Sequence, residues 1–276
     1  MKSGAIKPKP CRATLCEDEI WFGPDGLLPV GFRWEPPALA LGTRRDETSL
    51  PMIVAMDRAV RVLRDEALAS DASPPNLEAH AQAVLDRYQN WQDDQATRNA
   101  LTIRCAPGCA NCCRQYPLGI HAFEILHIHR HLTDSPDFPH HIELCRKRHA
   151  NYVEWQAFVA TAYPSPAWDE DDRQALAQEH DFDDGQPCPF LDARGSCSIH
   201  SLRPLTCRMF LSLSDPAYCT CELNTAPEAD QITLPPEEAV ALRLERLDRL
   251  LDCWGHDGSL YGSLVRLHDH LERKAS

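Results

Sequence analysis

Apolar residues recur with the helical period through most of this chain and lose it in a few stretches, two of them crowded with cysteine. Ile53, Met56, Val60, Leu63 and Ala67 lie three or four positions apart between Pro51 and Ala69, with Arg and Asp on the other face, and predict an amphipathic helix. Ser-Pro-Pro-Asn at 73–76 interrupts it, and Asn76 can cap a second helix through Leu77, Val84, Leu85, Tyr88 and Trp91. Further helices are expected near 121–132, around 138–162 and at 169–180. Pro-Pro-Glu-Glu from Pro235 enters the apolar series Val240, Leu244, Leu247 and Leu251, which predicts another helix. A last one, about 259–273, follows WGHDG and should pack back on it as a helix pair.

Between these helices the pattern fails. Residues 1–48 carry KPKP, GPDG and EPP with no sustained period, and are expected to form an extended arm whose Trp21, Phe22, Phe32 and Trp34 can still pack on the body. CAPGCANCC at 105–113 leads into Pro117 and Gly119 and reads as a loop or irregular turn before the helix near 121. CPFLDARGSCSIHSLRPLTCRMF at 188–210 is too rich in turn residues for a long helix, so its backbone needs another source of order. The expected organisation is an arm (1–48), a helical scaffold (49–100), a cysteine-bearing region (101–222) and a C-terminal helix pair (233–276), together one compact domain. The fold class is mainly α, with an irregular cysteine-rich metal-binding core packed among helices. No internal repeat is visible, and the two cysteine groups differ too much in spacing to be duplicates.

Composition narrows the function. At 276 residues the chain can bury a core without covalent staples, so its thirteen cysteines are not needed for that. A surplus of 41 acidic over 28 basic residues, net −13, repels nucleic acid and anionic lipid, which argues against either as a partner. No signal-peptide core precedes Glu17, Asp18 and Glu19, and no apolar run reaches membrane-span length, so the expected location is the cytoplasm. There an odd number of cysteines reads poorly as a disulfide framework, and metal ligation becomes the leading explanation.

The first cysteine group is C-x3-C-x2-C-C (Cys105, Cys109, Cys112, Cys113) and the second C-x8-C-x9-C (Cys188, Cys197, Cys207), followed by Cys219 and Cys221. Thiolates are soft, charged ligands; four complete a tetrahedral zinc site or hold one iron–sulfur cluster, and nine exceed the need of one mononuclear site. Neighbouring side chains in extended backbone point apart, so Cys112 and Cys113 reach one ion only across a sharp turn. They can serve different metals, or one can be a ligand and the other a small buried hydrophobe. Ala106, Gly108 and Ala110 leave room for close backbone packing. Arg104, Arg114, Arg203 and Arg208 flank the thiols, where they can offset thiolate charge and donate to sulfur, or simply be solvated surface charges.

These segments resemble the YkgJ-type cysteine cluster proteins, which carry the CxxCxxCC domain described as zinc- or iron-chelating. The family pairs a cysteine run ending in CC with a later CPFL, G-x-C-x-I-[YH], RP-x-x-CR and a downstream cysteine, all legible here over roughly residues 101–222. The resemblance implies ligands at Cys105, Cys109, Cys112, Cys113, Cys188, Cys197 and Cys207, with Cys219 or Cys221 as the last. Three residues separate Cys105 from Cys109 where the family pattern has two, which sets Cys105 apart. The resemblance also implies a metal or iron–sulfur cofactor; flagellin lysine N-methylases are relatives that modify proteins, but no glycine-rich loop after a strand announces an S-adenosylmethionine site here.

Other residues have plainer readings. Glu124, His127 and His131 would share one helix face and could bind a second metal, although an exposed face of titratable histidines explains them as well. His200, three residues after Cys197, is either a ligand or a packing residue. Cys145 and Cys253 are expected in the core, and Cys11 and Cys16 on the arm. DEDD at 169–172 and DFDD at 181–184 are expected as solvated acidic faces. The leading expectation is an iron–sulfur protein with a redox or cofactor role and an unidentified protein or redox partner; a structural zinc module and a methylase-like enzyme are the alternatives.

Overall fold

The computed structural model describes residues 76–106, 108–164, 168–220, 222–224, 226–236, 238–252 and 254–275, together with 58–59 and 61–62. The arm, Cys11, Cys16, Cys221 and Cys253 lie outside the described residues, as does most of the helix expected at 51–69, of which the four described residues are helical. Among the described residues the chain is mostly helical, with seven α-helices: α1 (Leu77–Arg98), α2 (Ala122–Thr133), α3 (Phe138–Ala162), α4 (Glu170–Asp183), the short α5 (Leu205–Met209), α6 (Glu238–Leu251) and α7 (Leu260–Ala275). Strands β1 (Phe210–Ser212) and β2 (Gln231–Thr233) pair antiparallel, with Leu211 opposite Ile232. Periodicity announces neither these three-residue strands nor the five-residue α5, which lies in the stretch expected to be irregular.

The helices form where the apolar period lies. Leu77, Ala81, Val84, Leu85, Tyr88 and Trp91 make the buried stripe of α1, and Val240, Leu244, Leu247 and Leu251 that of α6. Asn76 occupies the N-cap position of α1, its carbonyl accepting from the His80 N–H at 3.1 Å. One hydrophobic cluster draws residues from all seven helices, from Leu77 in α1 to Leu260 and Leu267 in α7. Helix α3 packs against α4 and α7, and α2 against α1, α6 and α7. No helix among the described residues is long and apolar enough to cross a membrane.

The two acidic runs are solvated faces only in part: Asp169, Glu170 and Asp171 are exposed as expected, whereas Asp172 and Asp181 are buried. Asp169 accepts from the Asp172 N–H at 2.9 Å while Asp172 accepts from the Asp169 N–H at 3.1 Å, a reciprocal cap that starts α4 and leaves Asp172 buried. Asp181, wholly buried, pairs with the Arg148 guanidinium, whose Nη2 lies 2.6 Å from Asp181 Oδ2. The same Nη2 donates to the Arg114 carbonyl at 2.7 Å, so a bridge between α3 and α4 also holds the turn that carries Cys112 and Cys113.

The acidic and histidine face of α2 is also not exposed. Glu124 is fully buried and accepts from the N–H groups of His121 at 2.8 Å and Leu205 at 2.7 Å, joining the start of α2 to the start of α5. His121 Nδ1 and the Ala122 N–H both meet the Asp248 carboxylate at 2.7 Å, which secures α6 to the same point. His127 is buried beside Gln82, and His131 alone of the three faces solvent. Glu124 and His127 therefore serve packing and capping rather than a metal.

Candidate metal centre

The first cysteine segment is short of apolar residues and is positioned by hydrogen bonds to its neighbours. The Arg104 N–H donates to the Ser212 carbonyl at 2.8 Å, and the Ser212 N–H donates back to Cys105 Sγ at 3.3 Å, so the segment runs along the end of β1. Asn111 Nδ2 donates to the Pro216 carbonyl at 2.7 Å, tying the segment to the 3-10 turn Pro216–Cys219. Cys112 and Cys113 open a 3-10 turn ending at Arg114, which supplies the sharp backbone turn their adjacency demands.

The second segment folds into a small hairpin. Asp192 Oδ1 accepts from the N–H groups of Arg194 and Ser196, both at 2.8 Å, and Leu191 bridges to Cys197. Gly195 turns the chain with φ +77°, and a Cβ there would stand 3.2 Å from the Gly108 carbonyl and 3.4 Å from Ala110 Cβ. Only glycine permits this approach, which presses the hairpin onto the first segment at the small residues between Cys105 and Cys112. The Cys188 N–H then donates to the Cys113 carbonyl at 2.9 Å, joining two segments that the sequence holds far apart.

Cys207 lies on α5. Arg208, buried beside it, donates to the carbonyls of Arg203 at 2.6 Å and Ser201 at 2.8 Å and to Gln89 at 3.2 Å, so it braces the loop, while its charge also favours the Cys197 thiolate. Of the four flanking arginines Arg203 lines the thiols' cavity, and its charge favours the thiolates of Cys112, Cys197 and Cys207. Arg114 contributes its carbonyl to Arg148, and Arg104 is exposed.

Cys112, Cys113, Cys188, Cys197 and Cys207 line a cavity of about 470 Å³ whose walls are otherwise largely apolar, with Tyr261 of α7 behind Cys188. Nothing in the sequence distinguishes Tyr261 from an ordinary core aromatic, and its place beside Cys188, like that of Tyr116 and Gln178 on the same wall, carries no sequence signal. His200 is exposed and does not border this cavity. Cys145 is buried in the core as expected, close enough to Cys188 for a charge on either to disfavour one on the other. Cys105 is exposed, whereas Cys109 and Cys219 are half-buried.

The thiols resist ionisation. Burial raises Cys188 to about 11, opposed by the Tyr261 hydroxyl, and raises Cys207 further, with Cys188 adding to it. Cys112 is raised first by its bond with Cys113 and then by burial. Burial likewise lifts Cys197 and Cys109, and takes Cys219 to about 11 against a bond from Ser212. These groups stay neutral at pH 7 unless a cation enters among them, since a coordinating dication supplies the charge that makes each one a thiolate. Among the described residues no three Cys, His, Asp or Glu side chains are already closed on a single point. The chemistry of the donor set nonetheless fits zinc or iron: soft sulfur ligands, few competing oxygens and a largely apolar wall.

Comparison with known proteins agrees with this chemistry. Residues 104–229, just under half of the chain, match the model of the CxxCxxCC family, whose description is "putative zinc- or iron-chelating domain". The match supports metal binding by this segment. No curated protein and no solved structure matches the chain.

Proposed function

We propose that the chain is an iron–sulfur protein, its cluster held at the cavity by Cys113, Cys188, Cys197 and Cys207, with a redox or cofactor role toward a protein partner. The observation that carries this reading is the cavity of about 470 Å³ on which five thiols from three stretches of the chain border. Four thiolates around one zinc, with Zn–S bonds of about 2.3 Å, need only a small part of that space. A polynuclear cluster needs both the space and the apolar wall, because burial and hydrogen bonds to sulfur set its potential. Bound there, the cluster would supply one-electron transfer; the chain supplies thiolates, the Arg203 charge and a largely apolar wall.

A second reading, zinc in a structural role, is favoured by a different observation. From Gly185 to Pro204 the backbone has only turns, one bridge and a 3-10 turn, an arrangement that an ion can order. The methylase-like alternative rests on the resemblance alone.

Anaerobic purification followed by iron, sulfide and zinc determination separates the two. Iron and sulfide, with broad visible absorption that bleaches on reduction, are expected; a colourless protein holding zinc alone overturns the cluster. Cys207→Ser should lower the metal content and Cys145→Ser should not, and equal metal in both variants would remove Cys207 from the ligand set.

A further inference from the structure

Helix α7 bears no cysteine and lies beyond residues 104–229, yet it sends one polar atom to the thiol cavity. Tyr261 is wholly buried and borders the cavity beside Cys188, and its hydroxyl has no hydrogen-bond partner among the described residues. A buried donor without an acceptor is costly, and in a folded chain it points to a partner met in another state. The polar atom beside it is the Cys188 sulfur. As a neutral thiol that sulfur is a weak acceptor, whereas as a thiolate it takes a strong, charge-assisted bond from an O–H. Burial, and after it the neighbouring Cys188 charge, raise the Tyr261 pKa, so the hydroxyl keeps the proton it has to donate.

The ring that carries this hydroxyl is held firmly. Tyr116, also on the cavity wall, meets Tyr261 edge-on, with ring centres 5.2 Å apart and planes at 83°. Tyr116 is itself clamped: its ring stacks on Tyr152 of α3 at 3.8 Å and 8°, its hydroxyl is bonded to His149 Nδ1 at 2.6 Å, and its carbonyl accepts from Gln178 of α4 at 3.1 Å. The Leu260 N–H donates to the Pro117 carbonyl at 3.1 Å, which pins the residue before Tyr261 to the same strip. Gly262, the residue after it, meets α3 so closely that a Cβ would stand 2.6 Å from His149 Cε1. Tyr261 therefore has a fixed ring and one unsatisfied atom, at a sulfur that metal binding would charge.

We infer that Tyr261 is a positioning residue of the metal site: its hydroxyl donates to the Cys188 thiolate that metal binding creates, and the clamp of Tyr116, Tyr152 and His149 holds it at that sulfur. The inference rests on the reading that Cys188 binds metal and not on which metal it is. The bond favours the ionised sulfur, so a metal displaces the Cys188 proton more readily, in a cavity whose one charged lining side chain is Arg203. It also draws electron density from that sulfur, which raises the reduction potential of a redox-active centre. Through it α7 is coupled to the metal, because the donor is satisfied only in the loaded protein.

The experiment compares the full-length parent, Tyr261→Phe and Tyr152→Phe in metal-stripped and cobalt(II)-loaded form. Phenylalanine keeps each ring and removes only the hydroxyl. Tyr152 supplies the control, because its hydroxyl is also buried without a partner among the described residues but does not border the cavity. In urea the stripped Tyr261→Phe should be at least as stable as the stripped parent, since the unsatisfied donor is gone. Cobalt(II) titration of the same variant should show about tenfold weaker binding, with the thiolate-to-cobalt absorption moved to lower energy, and Tyr152→Phe should match the parent in both. Equal affinity and an unmoved band in Tyr261→Phe, the same change in Tyr152→Phe, or a stability loss already present in the stripped Tyr261→Phe would each overturn the inference while metal binding stands. A parent that takes up no cobalt, zinc or iron overturns the metal reading itself, and this inference with it.

Discussion

Replacing Glu124 by alanine should loosen the elements on which Cys207 is mounted. The carboxylate is fully buried and accepts two backbone N–H groups, at 2.8 Å from His121 and 2.7 Å from Leu205, the first residue of α5. Hydrogen bonds to a charged acceptor contribute roughly 1.5–3 kcal/mol each, and their loss leaves two donors unsatisfied. Burial raises the Glu124 pKa, so part of that loss returns because a charge is no longer held away from water. A net loss of about 2–4 kcal/mol remains, which for a chain of this size lowers Tm by roughly 5–12 °C. Glu124→Gln retains an acceptor for one of the two N–H groups and should lose about half as much. Thermal and urea denaturation of the metal-stripped proteins give the stability, and the alkylation rate of Cys207 reports the position of α5. A Glu124→Ala variant within about 0.5 kcal/mol of the parent refutes the argument. So does an equal loss in alanine and glutamine variants, or a loss that leaves Cys207 reactivity unchanged.

Two further outcomes follow from buried charge. Arg148→Met leaves the Asp181 carboxylate buried without its partner and releases the Arg114 carbonyl, so it should lower stability by about 3–5 kcal/mol, and Arg148→Met/Asp181→Leu should recover most of it; a single variant as stable as the parent in urea would refute this. His129, packed on Phe138 and near His268, is lowered to about 4 by burial first and by His268 second. Its unfolded form takes up a proton below about pH 6.5 while the folded form does not, so its contribution is present above pH 6.5 and is lost as pH falls toward 4, by about 2–3 kcal/mol. Denaturation from pH 7.5 to 4.5 should show His129→Leu losing less stability on acidification than the parent, and parallel curves would refute the assignment.

The helices were legible because each buries a stripe at the helical period, and that period is written locally. Leu77 to Trp91, Val240 to Leu251 and the stretch 138–162 are all helical where the apolar residues recur. Asp181 misled because local composition cannot distinguish a carboxylate facing water from one facing a guanidinium: it looks like any surface aspartate until Arg148, thirty-three residues earlier, packs against it. Glu124 misled for the same reason, since its partner at Leu205 is eighty-one residues away. Strands β1 and β2 are too short to carry a pattern and exist through their pairing with each other.

By itself the sequence determined the chemistry of this protein: thiols in excess of any need of the core, in spacings that point to a soft metal, among helices able to carry them. Only the tertiary structure decided which thiols share a volume. Gly195 pressed on Gly108, Cys188 bonded to Cys113, and the Ser212 N–H bonded to Cys105 are contacts between segments far apart along the chain. The adjacency of Cys112 and Cys113, ambiguous as a string, is resolved by a 3-10 turn that brings both to the border of one cavity. Coordination depends on where sulfur atoms stand in space, and spacing along a chain constrains that only within a few residues; across longer separations packing sets it.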